Sequence, residues 1–261
     1  MIADAALDRL RALRPGTPRR DDFTCDLSVD EFTLVHDAGY EPVGLVTGSC
    51  IYHIGLLPVM WSASAEMTVL SQAMYGARNL AMSRLAQDAQ ALDADGVVGV
   101  RLTIDHEAWG EHLAEFVAIG TAIRKRGSRQ APSWPFTSDL SGQDFWSLVR
   151  AGYLPTALVM GACVWHVPRQ SLGGWLGQQG KNQELTNFTT AFYEARELAM
   201  ARMQSEAARF KSEGVVGMRI EESSRAWGGH TIEFLALGTA IRATESGHRP
   251  IAHRLVVPLD R

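Results

Sequence analysis

Cys50 and His53 stand three residues apart, and the pair returns as Cys163 and His166. Thiolate and imidazole are the ligands zinc and copper(I) prefer, so a transition metal ion (zinc or copper) is the first chemistry this pattern suggests. The spacing argues against a simple site. On a regular strand, residues three apart face opposite sides, so one ion could take both only at a bulge or with ligands pooled across an interface. The preferred reading is a pair of small buried thiols, the common fate of free cysteine. A second repeated pair is His112 with Glu115 and His230 with Glu233. Imidazole plus carboxylate could hold a metal or move a proton as acid and base. The preferred reading is a hydrogen-bonded pair that fixes the hairpin, or an interfacial salt bridge to Arg101 or Arg219. Tyr75 and Arg78 recur as Tyr193 and Arg196. With Met82 and Met200 they fall on one helical stripe, where Arg could clamp an anionic ligand through its planar fork. A contact between the helix and a neighbouring unit, which Tyr and Arg also favour, is the preferred reading.

Every one of these groups occurs twice because the chain is written twice. Between 96–124 and 214–242, 17 of 29 positions are identical, including Gly96-Val-Val-Gly99 with Gly214-Val-Val-Gly217 and Gly120-Thr-Ala-Ile-Arg124 with Gly238-Thr-Ala-Ile-Arg242. The duplication sets two units in 261 residues. A residue kept in both copies meets a demand of the unit, whether folding or function. No Gly-x-Gly-x-x-Gly, Gly-Lys-Ser/Thr, Gly-x-Ser-x-Gly or His-Glu-x-x-His occurs, so nothing marks a phosphate cradle or a nucleophile with its base. A net charge of −4 leaves no electrostatic footprint for nucleic acid. No apolar run could span a membrane, and three cysteines argue for a reducing, cytoplasmic setting.

The elements that position these residues can be read in order. Residues 1–22 suggest a helix over Ala3–Leu13 and a linker. The first unit is expected over 23–124, a linker over 125–135, the second unit over 136–242 and a tail over 243–261. In each unit a short helix opens at Asp26-Leu-Ser28 or Asp139-Leu-Ser141, and Ser28 with Glu31 fits a capping box. A strand follows, from Gly44 to His53 and from Ala157 to His166. Up to this strand the copies are offset by 113 positions; from Tyr75 and Tyr193 the offset is 118, which leaves five extra residues in the second copy. They fall in the Gly/Gln-rich stretch 167–182, expected to be a mobile loop. A long helix comes next, at about 68–93 and 186–211, with one apolar stripe at helical spacing. Two strands, 97–104 and 111–124 in the first copy, close the unit around a turn at Trp109-Gly110, repeated at Trp227. Leu255-Val-Val could add a strand to an edge. The fold class is α+β: two tandem β-α-β-β units, each behind a short helix.

The last strand carries a further constraint. One face presents Ala114, Phe116, Ala118, Gly120 and Ala122; the other presents Leu113, Val117, Ile119 and Ile123 with Glu115 and Thr121. Both are mostly apolar, and a single helix covers one. The other must pack on the second copy or on further chains, which predicts obligate association of units.

The ordered set Gly44-Leu-Val-Thr-Gly48, Tyr75-x-Ala77-Arg78, Ala81, Ala89-x-x-Leu92-x-Ala94-Asp-Gly-Val-Val-Gly99 and Gly120-Thr-Ala resembles the YbjQ-like family, named for heavy-metal binding. The resemblance covers about 40–124 and 153–242. It implies a dodecin-like unit that assembles into a five-fold ring, hence a homo-oligomer with the pentamer favoured. The second copy departs at Ala157-Leu-Val-Met-Gly161, where Met160 replaces Thr47. The leading reading is a non-catalytic oligomeric protein that binds a metal or small ligand at unit interfaces. Cys50, His53, Cys163 and His166 are the first candidate ligands, followed by His112, Glu115, His230 and Glu233; Tyr75, Arg78, Tyr193 and Arg196 are the candidate cofactor contacts. The alternatives are a ring-forming scaffold for a protein partner and a small enzyme using the His/Glu pair.

Overall fold

The computed structural model describes residues 24–53, 64–106, 113–128, 132–167, 186–224 and 231–244. The N-terminal helix, the loop beyond Val167, the turns bearing Trp109 and Trp227, His112, His230 and the tail strand lie outside the described residues.

The first repeat comprises α1 (Val29–Asp37), β1 (Tyr40–His53), a two-residue β2 (Ala65–Glu66), α2 (Thr68–Ala91), β3 (Gly96–His106) and β4 (Leu113–Lys125). The second comprises β5 (Phe136–Thr137), α3 (Gly142–Arg150), β6 (Tyr153–His166), α4 (Thr186–Arg209), β7 (Gly214–Ser224) and β8 (Thr231–Ala243). The two offsets read from the sequence hold: β1 and β6 start at 40 and 153, a difference of 113, and α2 and α4 start at 68 and 186, a difference of 118. The first strand of the second copy begins earlier than Ala157, at Tyr153.

Local chemistry explains these boundaries. The Ser28 hydroxyl accepts from the Glu31 amide at 3.3 Å, and the Glu31 carboxylate accepts from the Ser28 amide at 2.8 Å. This reciprocal cap starts α1, and it holds the Glu31 carboxyl below its ordinary range. Ser141 caps α3 from one side, its hydroxyl accepting from the Asp144 amide at 3.1 Å and donating to the Asp144 carboxylate at 2.8 Å. The Val-Val-Gly signature opens β3 and β7. Gly99 and Gly217 sit at a bulge with φ of +63°, a conformation that favours glycine. Gly48 and Gly161 let the long helices cross the sheets closely. A Cβ on Gly48 would lie 2.0 Å from the Ala81 carbonyl oxygen, and one on Gly161 would lie 1.8 Å from that of Ala199.

The two sheets exchange strands. The first has the order β1-β4-β3-β5 and the second β2-β6-β8-β7, so each takes its two-residue strand from the other repeat. β5 runs parallel to β3, and β2 runs antiparallel to β6. The expected boundary at 136 therefore falls inside the first sheet. The helices α1 and α3 also pack on each other; Trp146 Nε1 donates to the Asp37 carboxylate at 2.7 Å.

The layers alternate: first sheet, α2, second sheet, α4. Helix α2 packs on β1 and β4 of its own sheet and also on β6 of the other. One continuous core holds Leu70, Met74 and Leu85 of α2, Phe116 of β4, and Leu158, Met160, Leu235 and Leu237 of the second sheet. The face of β8 that α4 cannot cover is thus covered by the first repeat. This explains the departure at Met160: it is wholly buried between repeats, whereas its counterpart Thr47 is exposed.

Candidate functional site

The thiol–imidazole pairs do not come together. Cys50 is buried facing α2, opposite Phe116, while His53 is exposed at the end of β1 on the other face. Burial raises the Cys50 thiol. Cys163 is wholly buried, and burial pushes its thiol to about 12, so it stays protonated at neutral pH. His166 is buried in register with Ala65 of β2. Glu115 is half-buried and Glu233 buried. Among the described residues, no group of three His, Cys, Asp or Glu side chains could hold a metal ion. The arginines proposed as partners of the His/Glu pairs turn elsewhere: Arg101 meets Asp26 at 2.5 Å and Arg219 meets Asp139 at 3.3 Å.

The Tyr–Arg stripe does come together with something, namely the backbone of β6. Residues 158, 160, 162 and 164 point their amides and carbonyls out of the second sheet, along its open edge. Such an edge invites promiscuous pairing unless it is covered. Here side chains cover it. Ser71 Oγ accepts from the Val164 amide at 3.1 Å, and the Met67 amide donates to the Val164 carbonyl at 2.7 Å. The Tyr75 hydroxyl accepts from the Ala162 amide at 2.9 Å and lies 3.5 Å from the Met160 carbonyl. Arg78 donates to the Leu158 carbonyl at 2.5 Å and to Glu206 at 2.6 Å. The Leu158 amide donates to Thr137 Oγ1 at 3.0 Å.

Helix α4 closes the same edge from the other side. Glu206 accepts from the Met160 amide at 2.7 Å, and Arg202 donates to the Ala162 carbonyl at 2.8 Å. Arg202 also forms a two-pronged pair with Glu66 of β2, at 2.5 and 2.9 Å. Burial raises the Tyr75 hydroxyl, which suits a neutral donor and acceptor on a backbone. Arg78 is not an anion clamp, since the Glu206 carboxylate already occupies its fork. A cleft of about 170 Å³ opens beside Arg78, Trp134 and Phe210, and Glu115 is not among its lining residues. The second-copy stripe is bare by comparison. Tyr193 is 52% exposed, and Arg196 lies over its ring at 4.9 Å and pairs with adjacent Glu197 at 2.7 Å.

Glu206, Arg202, Ser71 and Thr137 were not anticipated. Arg202 and Glu206 stand one turn apart and recur as Arg84 and Asp88. In the first repeat Asp88 accepts from the Thr47 amide at 3.3 Å, and Arg84 donates to the Ser49 carbonyl. A repeated basic–acidic pair on one helical face was the signal available.

A family model described as "Putative heavy-metal-binding" matches residues 40–126 and 179–244. The chain belongs to the YbjQ-like family. An encapsulin nanocompartment protein of Mycobacterium tuberculosis is 48% identical to this YbjQ-like chain over 243 residues, which are 91% of this chain and 92% of that protein. A UPF0145 protein of Vibrio campbellii is 37% identical over 86 residues, 31% of this chain but 81% of its own length. One from Fervidobacterium nodosum is 32% identical over 96 residues, 34% of this chain and 87% of its own length. A single repeat thus spans most of these shorter relatives. No helix among the described residues is long and apolar enough to cross a membrane.

Proposed function

We propose that this YbjQ-like protein is a non-catalytic, cytoplasmic structural component that acts as a homo-oligomer of dodecin-like repeats, with a ring of five chains and ten repeats favoured. One observation carries the reading: Tyr75 and Arg78, the polar stripe both repeats keep, are committed to holding the β6 backbone. Groups tied to backbone amides and carbonyls in a closed seam are not available for turnover. The similarity to an encapsulin nanocompartment protein supports a shell protein of that kind as the partner. The test is the mass of the purified chain by light scattering, followed by co-purification with an encapsulin shell protein expressed beside it. A single-chain mass at micromolar concentration, with no co-purification, overturns the proposal.

A metal-binding reading draws on the family's description. It places zinc or copper at Cys50, His53, Cys163 and His166, or at the His112–Glu115 and His230–Glu233 pairs, with ligands pooled between copies. Elemental analysis of the purified protein tests it. Metal content that is unchanged in the Cys50→Ala, Cys163→Ala double variant removes the thiol site.

A further inference from the structure

We infer that copies of this chain join head to tail, with α4 and β7 of one copy receiving the outer face and β1 edge of the first sheet in the next. This rests on the oligomeric reading above and specifies which surfaces meet. Every chain already contains one such junction, so both halves of the missing one can be read by counterpart.

The receiving surface inside the chain is the groove between α2 and β3. Its counterpart on α4 and β7 is open. Met218 is 44% exposed where Val100 is 1% exposed, and Ile220 is 37% exposed where Leu102 is 8% exposed. The Arg196 side chain is 35% exposed where that of Arg78 is 5% exposed. A Cβ on Gly214 would meet nothing within 4 Å, whereas the same atom on Gly96 would strike the Phe136 ring of β5.

The inserted surface inside the chain is the outer face of the second sheet, with Leu158, Met160, Ala162 and Val164 on β6, all buried. Its counterpart on β1 is Leu45, Thr47, Ser49 and Ile51. The last three are exposed, Ile51 by 50%. Along that edge the first repeat supplies its own Asp88 and Arg84, as the second supplies Glu206 and Arg202. The contributions matching Ser71, Tyr75 and Arg78 would come from Thr189, Tyr193 and Arg196. Helix α4 carries those residues and packs on its own sheet, so a second copy must bring them. Arg196 of one chain then reaches the Leu45 carbonyl and Asp88 carboxylate of the next, as Arg78 reaches Leu158 and Glu206.

The two half-junctions differ in shape and chemistry, so the contact is heterologous and closes into a ring when the rotation between chains allows. Since each chain brings two repeats, every closed ring holds an even number of them. Thr47 and Ser49 replace the buried Met160 and Ala162, so the junction between chains buries less apolar surface than the one within them and is the weaker of the two.

Two variants test this, each blocking one half. Arg196→Glu puts a carboxylate against Asp88 and spoils α4. Ser49→Arg puts a long cation where Ala162 is wholly buried in the internal junction, and spoils the β1 face. Light scattering should give a multi-chain mass for the parent and a single-chain mass for each variant alone. An equimolar mixture should give a two-chain mass, because one good half remains on each partner and can be used once. That recovery also shows that both variants are folded. A multi-chain mass for either variant alone, or no two-chain species in the mixture, overturns the head-to-tail assignment while leaving self-association standing. A single-chain mass for the parent overturns both.

Discussion

Arg78 ties α2 of the first repeat to β6 and α4 of the second, and Arg78→Met measures that coupling. The substitution keeps most of the volume but removes every donor. The Leu158 carbonyl loses its partner, and the Glu206 carboxylate is left beside the Met160 amide alone. The Arg78 and Glu206 side chains are only 5% and 17% exposed, so water replaces little of what is lost. Removing one member of a buried pair costs about 3–5 kcal/mol. Glu206 keeps one amide and some solvent contact, so the low end, about 3 kcal/mol, is expected. For a chain of this size that lowers Tm by roughly 6–12 °C. Urea unfolding followed by circular dichroism at one fixed, dilute protein concentration reads the loss. The transition should also broaden, because the repeats no longer melt as one. Adding Glu206→Gln removes the stranded charge while keeping an acceptor for Met160, and should recover about 1 kcal/mol or more. A loss under about 1 kcal/mol for Arg78→Met would refute the argument that this contact welds the repeats.

Gly161→Ala places a methyl against the Ala199 carbonyl and the Met203 amide, and should destabilise the chain by about 2–3 kcal/mol in the same urea assay. Ser28→Ala removes the α1 cap and should cost about 1 kcal/mol, with no effect on oligomer mass. In native protein at pH 8, a thiol reagent should modify half-buried Cys25 quickly and Cys50 and Cys163 only after unfolding. Cys163 holds its proton to about 12 when folded, while an unfolded thiol ionises near 8.5, at about that pH. Its contribution to stability is therefore complete below about pH 8.5 and falls by about 1.4 kcal/mol per pH unit above it. Cys163→Ala should flatten that alkaline decline in urea titrations from pH 8 to 10.

Elements with strong periodicity or a reciprocal cap could be read from the residues alone: the long helices and the Ser28–Glu31 start. The apolar outer face of the last strand also predicted a cover; the first repeat provides it for β8, while Val117 and Ile119 on the matching face of β4 stay half-buried. The strand exchange was not legible. Ala65-Glu66 and Phe136-Thr137 are two residues each, too short for alternation to register, and their partners lie far away in the chain. The role of Tyr75 and Arg78 was half legible. Their shared stripe indicated a neighbour, but a side chain that bonds to backbone leaves no matching residue type on the other side. The burial of Cys163 followed from the general tendency of free cysteine and not from its spacing to His166, since spacing along a strand says nothing about how deeply a thiol is buried.

The exchange of β2 and β5 bears on how the polypeptide is made. During translation the first sheet emerges without its fourth strand, and β3 waits with an unpaired border until residues 136–137 leave the ribosome. The second sheet, in turn, needs a piece synthesised long before it. Each half lacks a short strand that the other supplies, so a nascent chain halted midway would present an uncovered border, and two halves produced together should be more soluble than either alone.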